Sequence, residues 1–302
     1  MEEYDVAIVG CGPAGMSAGI YAGRRGMKTL ILERGVIGGQ MASATKIDNY
    51  AGFDSIHGLE LAKRMEAQVR RFGCEIRMEE VQAMDLRKGA ITTNKGQYHA
   101  KAVILATGGG HKKLGIENEE KFVGRGVSYC ITCDATFFKG KKVAFVGGSD
   151  AAITSALYLA DYADLVYLIH RRDEFRAEEI TKESVKKANI TLVLDSVVKR
   201  IEGDKKVKAI VIENVKTKQT STIEVDGLFI QIGIVPTTEL AQAAGVRLDK
   251  LGYIETNVSK ETNIEGVYAA GDATGGIWQI AQAVGDGSVA AVNAYKYIKS
   301  RE

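Results

Sequence analysis

The chain lacks the features that would place a protein in a membrane or outside the cell. None of its apolar runs approaches the ~20 residues that a membrane-spanning helix needs. Its first residues, Met1 to Tyr4, do not have the basic start and apolar core of a signal peptide. Four cysteines in 302 residues do not make the disulfide framework of a secreted protein. We therefore expect a cytoplasmic protein that has no membrane partner.

An excess of either charge is also missing. The 40 basic residues are balanced by 38 acidic ones, which leaves a formal charge of +2 and no long-range attraction for nucleic acid. The apolar share of 45% and the charged share of 26% are those of a soluble globular protein. The length suits about two domains. We expect two ordinary domains and no nucleic-acid partner.

The chain does have a pair of cysteines, Cys130 and Cys133, that forms a C-x-x-C motif. In a cytosolic protein this motif indicates a redox or metal site. Zinc would need two further cysteine or histidine ligands at compatible spacing, and Cys11 and Cys74 are isolated. A structural disulfide across so short a loop stabilises little. We interpret the pair as a redox centre that stores two electrons, and we expect no metal.

Two glycine-rich turns flank the cysteine pair. The first, G-C-G-P-A-G at 10–15, follows an apolar run and precedes a helix predicted from about residue 14 to 25. The second, G-G-S-D-A-A at 147–152, follows another apolar run and precedes a helix predicted to about residue 162. Glycines at such a turn allow a pyrophosphate to approach the backbone, and the helix N-terminus offers it free N–H groups. Two dinucleotide-binding units are therefore predicted.

The two units differ at the residue that ends their second strand. Glu33 and His170 hold this position and lie 137 residues apart, as do Gly10 and Gly147. A carboxylate there accepts hydrogen bonds from an adenosine ribose and repels a 2′-phosphate, which suits FAD or NAD. Guanidinium groups suit the 2′-phosphate of NADPH. In the second unit His170 is followed by the guanidinium groups of Arg171, Arg172 and Arg176, so these four residues are predicted to bind NADPH.

Ser149 departs from the glycine pattern of the second turn. It occupies the place of the second glycine, where backbone and pyrophosphate come closest. Its side chain would either crowd the phosphates or donate a hydrogen bond to them. Both alternatives stay open at this point.

The ordered set of motifs resembles the low-molecular-weight thioredoxin reductases of bacteria and archaea, which are FAD- and NADPH-dependent pyridine nucleotide-disulfide oxidoreductases of class II. The resemblance extends over nearly the whole chain. It rests on the two glycine turns, E-R-G-V-I-G-G-Q at 33–40, N-Y at 49–50, A-T-G at 106–108, C-I-T-C-D at 130–134, H-R-R-D-E-F-R-A at 170–177, V-Y-A-A-G-D at 267–272 and Gln279.

The resemblance implies an α/β fold of two Rossmann-like, three-layer domains. Residues 1–114 and 238–302 would form a discontinuous FAD-binding domain, into which an NADPH-binding domain of residues 115–237 is inserted. Enzymes similar to glutathione reductase carry their redox cysteines on the FAD domain, shortly after the first glycine turn. Here no cysteine follows Glu33 before Cys74, and the C-x-x-C pair lies in the NADPH domain. The resemblance also implies a homodimer.

The resemblance assigns residues to each cofactor. Glu33 would bind the adenosine ribose, Gln40 and Asn49 would lie along the flavin, and Asp272 would hold the ribityl or phosphate part of FAD. The FAD set is Gly10, Gly12, Gly15, Glu33, Arg34, Gly39, Gln40, Asn49, Thr107, Gly271, Asp272, Gln279 and Ile280. The NADPH set is Gly147, Ser149, Asp150, His170, Arg171, Arg172 and Arg176.

The resemblance also implies a path for electrons. Hydride passes from NADPH to FAD, and the reduced flavin opens the Cys130–Cys133 disulfide. Cys133 faces the flavin, while Cys130 attacks the disulfide of thioredoxin or a thioredoxin- or glutaredoxin-like protein. Asp134 is either the general acid, which requires a raised pKa, or a helix-capping residue.

Three residues depart from the family's usual pattern. They are Ile131 between the cysteines, Ala135 after the aspartate, and Trp278 where an arginine is common. Each is expected close to the flavin, the dithiol or the path of the nicotinamide. The alternative function is therefore a thioredoxin-reductase-like flavoprotein with a different electron donor, or with a small-molecule disulfide or dithiol substrate.

Overall fold

The chain passes twice between two units in the computed structural model, which describes residues 1–44, 47–175 and 188–302. Unit 1 consists of Met1–Gly110 and Val235–Glu302, and unit 2 of His111–Ile234. The predicted boundaries, at 114/115 and 237/238, lie a few residues beyond these divisions. Arg176, which is predicted to contact NADPH, lies outside the described residues.

Unit 1 is built on a sheet whose centre is parallel and whose extension is antiparallel. In their order across the sheet, its strands are β3 (Glu75–Met78), β2 (Thr29–Glu33), β1 (Glu2–Val9), β6 (Gln97–Leu105), β5 (Ala90–Thr93) and β4 (Val81–Asp85), with β17 (Val267–Ala269) also paired to β6. β1 pairs in parallel with β2 and β6, and β17 in parallel with β6. β5 runs antiparallel to β6 and β4.

The helices of unit 1 cover this sheet because its strands are apolar on both faces. The described helices are α1 (Pro13–Gly23), α2 (Gly58–Arg71), α6 (Glu239–Ala243) and α7 (Ile280–Lys299), with 3-10 turns at Gly39–Ser43 and Gly271–Thr274. Val6 and Ile8 of β1 join the core formed with α1, α2 and α7. Ala7 and Val9 point to the opposite core, which includes Ala241 of α6. This alternation gives the unit three layers.

The core of unit 2 is a fully parallel sheet. Its strands lie in the order β11 (Ile190–Val193), β10 (Leu165–Ile169), β9 (Lys142–Val146), β15 (Gly227–Ile230) and β8 (Val127–Ser128). A second, antiparallel sheet contains β12 (Ser196–Gly203), β13 (Val207–Asn214) and β14 (Thr220–Glu224). The described helices are α3 (Glu119–Phe122), α4 (Ile131–Asp134) and α5 (Asp150–Ala160), with a 3-10 turn at Ala135–Phe138.

Unit 2 is also layered, with different elements on the two faces of β9. Val143 and Phe145 pack in one core with the apolar side of α5, including Ile153. Ala144 and Val146 pack in the other core, with residues of β12 and β13. The predicted α/β class with two Rossmann-like units is confirmed. Where the chain crosses between the units, β7 (Gly109–His111) and β16 (Ile234–Pro236) form a two-stranded sheet.

The predicted ends of α1 and α5 are each two residues too long, which is within the usual fraying of such boundaries. α1 ends at Gly23 because Gly26, with a φ of +73°, turns the chain out of the helix. Within the described ranges, no helix combines the length and the apolar character that crossing a bilayer requires.

Candidate active site

The first glycine turn leaves its middle glycine facing open space. Gly10 has a φ of +105°, and a Cβ on it would lie 2.2 Å from the carbonyl oxygen of Ala106. A Cβ on Gly15 would lie 1.9 Å from the carbonyl oxygen of Gly10. By contrast, no described atom lies within 4 Å of the Cβ position of Gly12. The first and third glycines are therefore required by packing, and the second is open to a ligand.

The N-terminus of α1 is free of side-chain capping. Gly12 is its N-cap residue, and Pro13, which has no N–H, begins the helix. The first-turn N–H groups carry the positive end of the helix dipole. Together with the open space at Gly12, they form a site that suits a phosphate group.

Glu33 binds the backbone of the glycine turn and of the segment that follows β2. Its Oε2 accepts a hydrogen bond from the Cys11 N–H at 2.8 Å, and its Oε1 accepts one from the Gly35 N–H at 2.7 Å. A carboxylate oxygen has more than one acceptor site, so hydroxyl groups of a ribose can still bind. Gly39 adjoins the turn, since its Cβ position is 3.4 Å from the Cα of Gly12. Arg34 forms an exposed ion pair with Glu80.

Other predicted FAD residues connect distant segments of unit 1. The Gln40 amide donates to the carbonyl oxygen of Gly109. The Asn49 Nδ2 donates to the Gln279 Oε1 at 3.0 Å. Thr107 follows β6, and its hydroxyl donates to the carbonyl oxygen of Thr237 at 2.5 Å. Ile280 begins α7 and packs against the core around α1.

Asp272 lies where β17 gives way to a 3-10 turn next to α1. The preceding Gly271 has a φ of +74°, and a Cβ on it would lie 2.9 Å from the Cβ of Ala14. Burial, followed by the charge of Asp286, raises the pKa of Asp272 to about 6. This is a large upward shift of a carboxyl pKa, and it indicates that the Asp272 carboxyl group is poorly solvated.

The motif pattern gives no indication of the residues that support this aspartate. Asp286 of α7 accepts a hydrogen bond from the Gly271 N–H at 3.2 Å and forms an ion pair with Lys260 at 2.7 Å. Both side chains of that pair are largely buried. Gln282 lies one turn earlier on α7. Its Oε1 accepts a hydrogen bond from the Ile277 N–H at 2.6 Å, and its Nε2 donates one to the Gly275 carbonyl oxygen at 2.7 Å. The one sequence signal is their i, i+4 spacing, which places both on one side of α7.

The glycines of the second turn lie against side chains, whereas Gly10 and Gly15 of the first lie against backbone. A Cβ on Gly147 would lie 2.6 Å from the Cβ of Ala152, and a Cβ on Gly148 would lie 2.2 Å from the ring of His170. The Ser149 hydroxyl accepts a hydrogen bond from the Ala152 N–H at 3.3 Å and caps α5, which begins at Asp150. The serine therefore has a third role, helix capping, that neither of the two alternatives anticipated.

Two buried polar atoms without partners belong to residues that adjoin this second turn. They are the Nε2 of His170, whose ring abuts Gly148, and the Oε1 of Gln231, whose backbone oxygen is 3.0 Å from the Cβ position of Gly147. Among the described side chains, the third such buried atom is on His99. Burial lowers the pKa of His170, which favours the neutral ring. Buried polar atoms without partners are uncommon, and a ligand at the turn would provide partners.

The predicted basic cluster follows directly after β10. Arg171 and Arg172 lie at an exposed bend, and their neighbour His170 packs against Phe175 with ring centroids 5.2 Å apart. The exposure of the two guanidinium groups leaves them available to an anion. This bend therefore keeps two of the three predicted arginines beside the second glycine turn.

The redox cysteines lie at the start of a one-turn helix. Cys130 and Cys133 form a disulfide with their Cα atoms 5.3 Å apart, and Cys130 is the N-cap residue of α4. Asp134 ends that helix, and its Oδ2 accepts a hydrogen bond from the Ser128 hydroxyl at 2.6 Å. The Asp134 side chain makes no capping hydrogen bond to α4 or to the 3-10 turn after it, so the capping alternative is wrong.

Burial raises the pKa of Asp134, and the hydrogen bond from Ser128 opposes this rise. A carboxyl group that retains its proton closer to neutral pH is a better proton donor under cellular conditions. The disulfide and a half-buried carboxylic acid are thus within one helical turn of each other.

Comparison with known proteins agrees with this geometry. The model of the pyridine nucleotide-disulphide oxidoreductase family matches residues 4–287. The chain belongs to this family. A curated protein named thioredoxin reductase, from Listeria innocua, is 41% identical over 98% of this chain and 94% of its own length.

Solved structures lead to the same subfamily. The thioredoxin reductase from Streptococcus pyogenes matches with a TM-score of 0.91 and 39% identity over 99% of both chains. A ferredoxin-flavin thioredoxin reductase from Clostridium acetobutylicum is 36% identical over 99% of both chains, with a TM-score of 0.54. This oxidoreductase is thus similar over its whole length to thioredoxin reductases, one of which is named for ferredoxin as well as flavin.

Proposed function

We propose that this chain is a thioredoxin-disulfide reductase that takes electrons from NADPH and transfers them through FAD to Cys130 and Cys133. The observation that carries the proposal is the Cys130–Cys133 disulfide beside the half-buried Asp134, in the same unit as the second glycine turn. The similarity to thioredoxin reductases over the whole chain supports it. A cytoplasmic homodimer is part of the proposal: the dimer rests on the resemblance alone, and the location rests on the expectations drawn from the sequence.

The residues of unit 1 fit FAD. The space at Gly12 and the uncapped N-terminus of α1 suit the pyrophosphate, Glu33 suits the adenosine ribose, and Asp272 suits a hydroxyl or phosphate group of the ribityl chain. When bound, FAD carries two electrons between a nicotinamide and a disulfide. Gln282 and Asp286 would keep the segment around Asp272 in place.

The residues of unit 2 fit NADPH. His170 and Gln231 adjoin the second glycine turn, and each has a buried side-chain atom without a partner; a dinucleotide offers both donors and acceptors. Arg171 and Arg172 are exposed next to it and suit a 2′-phosphate, which binds two guanidinium groups well. Ser149 adds its exposed side chain to the same turn.

The chemistry of the chain's own residues is thiol–disulfide exchange. Once the disulfide is reduced, the Cys130 thiolate attacks the disulfide of the protein substrate, forms a mixed disulfide and releases one substrate sulfur as a thiolate. Asp134 donates a proton to that leaving thiolate. Cys133 then attacks Cys130, which restores the internal disulfide and releases the second substrate thiol.

Anaerobic spectroscopy of the purified yellow protein tests the electron donor. NADPH should bleach the flavin absorbance more effectively than NADH, and added thioredoxin disulfide should restore the colour. Bleaching by reduced ferredoxin but not by NADPH would instead support the alternative donor. A Cys130→Ser variant should still bind FAD and be bleached, yet should not reduce thioredoxin. Retained thioredoxin reduction in that variant would refute the proposed relay.

A further inference from the structure

We propose that Ser128 is a positioning residue for the redox centre, whose hydroxyl binds the Asp134 carboxyl group and the backbone of Cys130 and reverses its donor direction when Asp134 exchanges a proton. The inference rests on the proposed role of Asp134 as the acid. Neither the motif pattern nor the resemblance singles out this serine.

Three contacts connect the Ser128 hydroxyl with the redox centre. Ser128 ends β8 and its side chain is buried, with 5% of the residue exposed. Its Oγ lies 2.6 Å from the Asp134 Oδ2, 3.2 Å from the Cys130 carbonyl oxygen and 3.1 Å from the Cys130 nitrogen, whose N–H it accepts. The Asp134 N–H donates to the same carbonyl oxygen at 3.2 Å. The acid and the first cysteine are therefore joined in one ring of hydrogen bonds.

The hydroxyl has one proton and so can donate to only one of its two acceptors at a time. When Asp134 is ionised, the hydroxyl donates to the carboxylate. When Asp134 is protonated, the carboxylic acid donates to Ser128 Oγ, and the serine proton turns to the Cys130 carbonyl oxygen. The Cys130 N–H donates to Oγ in both states. Every polar atom of the ring is satisfied before and after the proton leaves, and no heavy atom has to move.

In the oxidised protein, burial and the Ser128 hydroxyl are the two described influences on this proton. Among the described residues, Asp134 has no ion pair, and its pKa responds to burial first and to Ser128 second. The nearest titratable groups along the chain serve another contact, because the Tyr129 hydroxyl donates to the buried Glu119 at 2.7 Å. His111 stacks on Tyr129, and burial lowers its pKa, so it brings no charge at neutral pH. The Cys130–Cys133 disulfide does not titrate in the oxidised protein, whereas the thiols of the reduced pair do, so Cys130 and Cys133 are the titratable groups next to Asp134 during turnover.

The test compares pH profiles of thioredoxin reduction by the NADPH-driven holoenzyme. In Ser128→Ala the ionised carboxylate loses its donor, so the alkaline limb of kcat/KM should move up by about one pH unit, the size expected for a lost hydrogen bond to a charged group. Ser128→Gly should cause the same shift, which provides a second variant if the first does not fold. Ser128→Thr retains the hydroxyl and should restore the original limb.

Ser196→Ala is the matched control. Ser196 is also a buried serine of unit 2 with 5% exposure, and its hydroxyl donates to the Leu194 carbonyl oxygen at 2.8 Å. Removal of the Ser196 hydroxyl should leave the alkaline limb of kcat/KM at the same pH. If Asp134→Asn abolishes the limb but neither Ser128→Ala nor Ser128→Gly moves it, the inference about Ser128 is wrong and the proposed function stands. If Asp134→Asn itself leaves the limb unchanged, the acid role fails and the inference fails with it.

Discussion

Both glycine turns of this chain connect a strand to a helix, but they leave different backbone groups free for a ligand. At the first turn, α1 has no side-chain cap and the space at Gly12 is open. At the second, Ser149 caps α5, and the ring of His170 fills the space beside Gly148. The first turn therefore offers bare backbone to a phosphate, whereas the second offers side chains. The two turns thus share one strand–turn–helix unit and differ in the few side chains that surround it.

The two sheets extend the comparison to the chemistry. In unit 1, β17 pairs in parallel with β6 and leads to Asp272. In unit 2, β8 pairs in parallel with β15 and leads to Cys130 and Asp134. Burial raises the pKa of both aspartates. The same topological position therefore carries a predicted cofactor ligand in one unit and the redox centre in the other, which is consistent with ligands gathering at the carboxyl ends of parallel strands.

The largest expected effect comes from substitutions at the last position of each turn, where unit 1 has glycine and unit 2 has alanine. Gly15→Ala would place a Cβ 1.9 Å from the Gly10 carbonyl oxygen, so it should lower the free energy of unfolding by about 3 kcal/mol and yield protein without flavin. Ala152→Gly, at the corresponding position of unit 2, should cost about 1 kcal/mol and retain the flavin. Thermal melts and the ratio of flavin to protein absorbance measure both. Equal losses would show that the turns do not differ in this way.

The aspartate of unit 1 should make the stability of the apoprotein depend on pH. Because the folded pKa of Asp272 is about 6, above the ordinary value of 3.8, the folded apoprotein binds more protons than the unfolded chain between these values. Its stability should therefore fall as the pH rises from about 4 to 6, by up to roughly 2 kcal/mol. Asp272→Asn should remove this slope, as denaturant unfolding of apoprotein can measure. A slope that persists in the variant would assign it to another group.

The basic cluster of unit 2 should decide which nicotinamide nucleotide is used. Replacing Arg171 and Arg172 together with alanine should reduce kcat/KM for NADPH by about tenfold, the loss expected from two charge-assisted contacts at an exposed site. The value for NADH and the affinity for FAD should not change. Steady-state kinetics with both nucleotides provide the measurement, and Arg125→Ala is a control for the loss of charge elsewhere in the unit. A parallel loss with NADH would contradict a role in binding the 2′-phosphate.

The smallest effect concerns the cap at the second turn. Ser149→Gly would restore the glycine pattern of the first turn, and glycine replaces a serine cap at a cost of only a few tenths of a kcal/mol. We expect near-normal stability and an affinity for NADPH that changes less than about threefold. Ser149→Ala should cost about 1 kcal/mol because alanine is a poor N-cap. Nucleotide titrations and melts of the two variants would show whether the hydroxyl serves the helix or the phosphate.

Much of the fold was predictable because its signals are local. The strand–turn–helix units around Gly10 and Gly147 depend on apolar runs and glycine conformations that neighbouring residues impose. The position of the C-x-x-C pair relative to the second turn needed no tertiary information. In contrast, the sequence left the role of Ser149 open, because crowding, hydrogen bonding and capping all suit a serine at that position. Only the distance from its hydroxyl to the Ala152 N–H identified the cap.

The amino-acid sequence by itself determined the α/β class, the two nucleotide-binding units, the redox cysteines and the family. These properties follow from backbone rules that act over a few residues and from the order of motifs along the chain. The tertiary structure alone decided which groups support the chemistry. Asp286 accepts a hydrogen bond from the Gly271 N–H, Lys260 forms an ion pair with Asp286, and the Ser128 hydroxyl donates to Asp134. Folding brings together side chains and backbone whose separation in sequence follows no rule. The acidity of a carboxyl group depends on such contacts and on burial, and neither can be predicted from the residues next to it in the sequence.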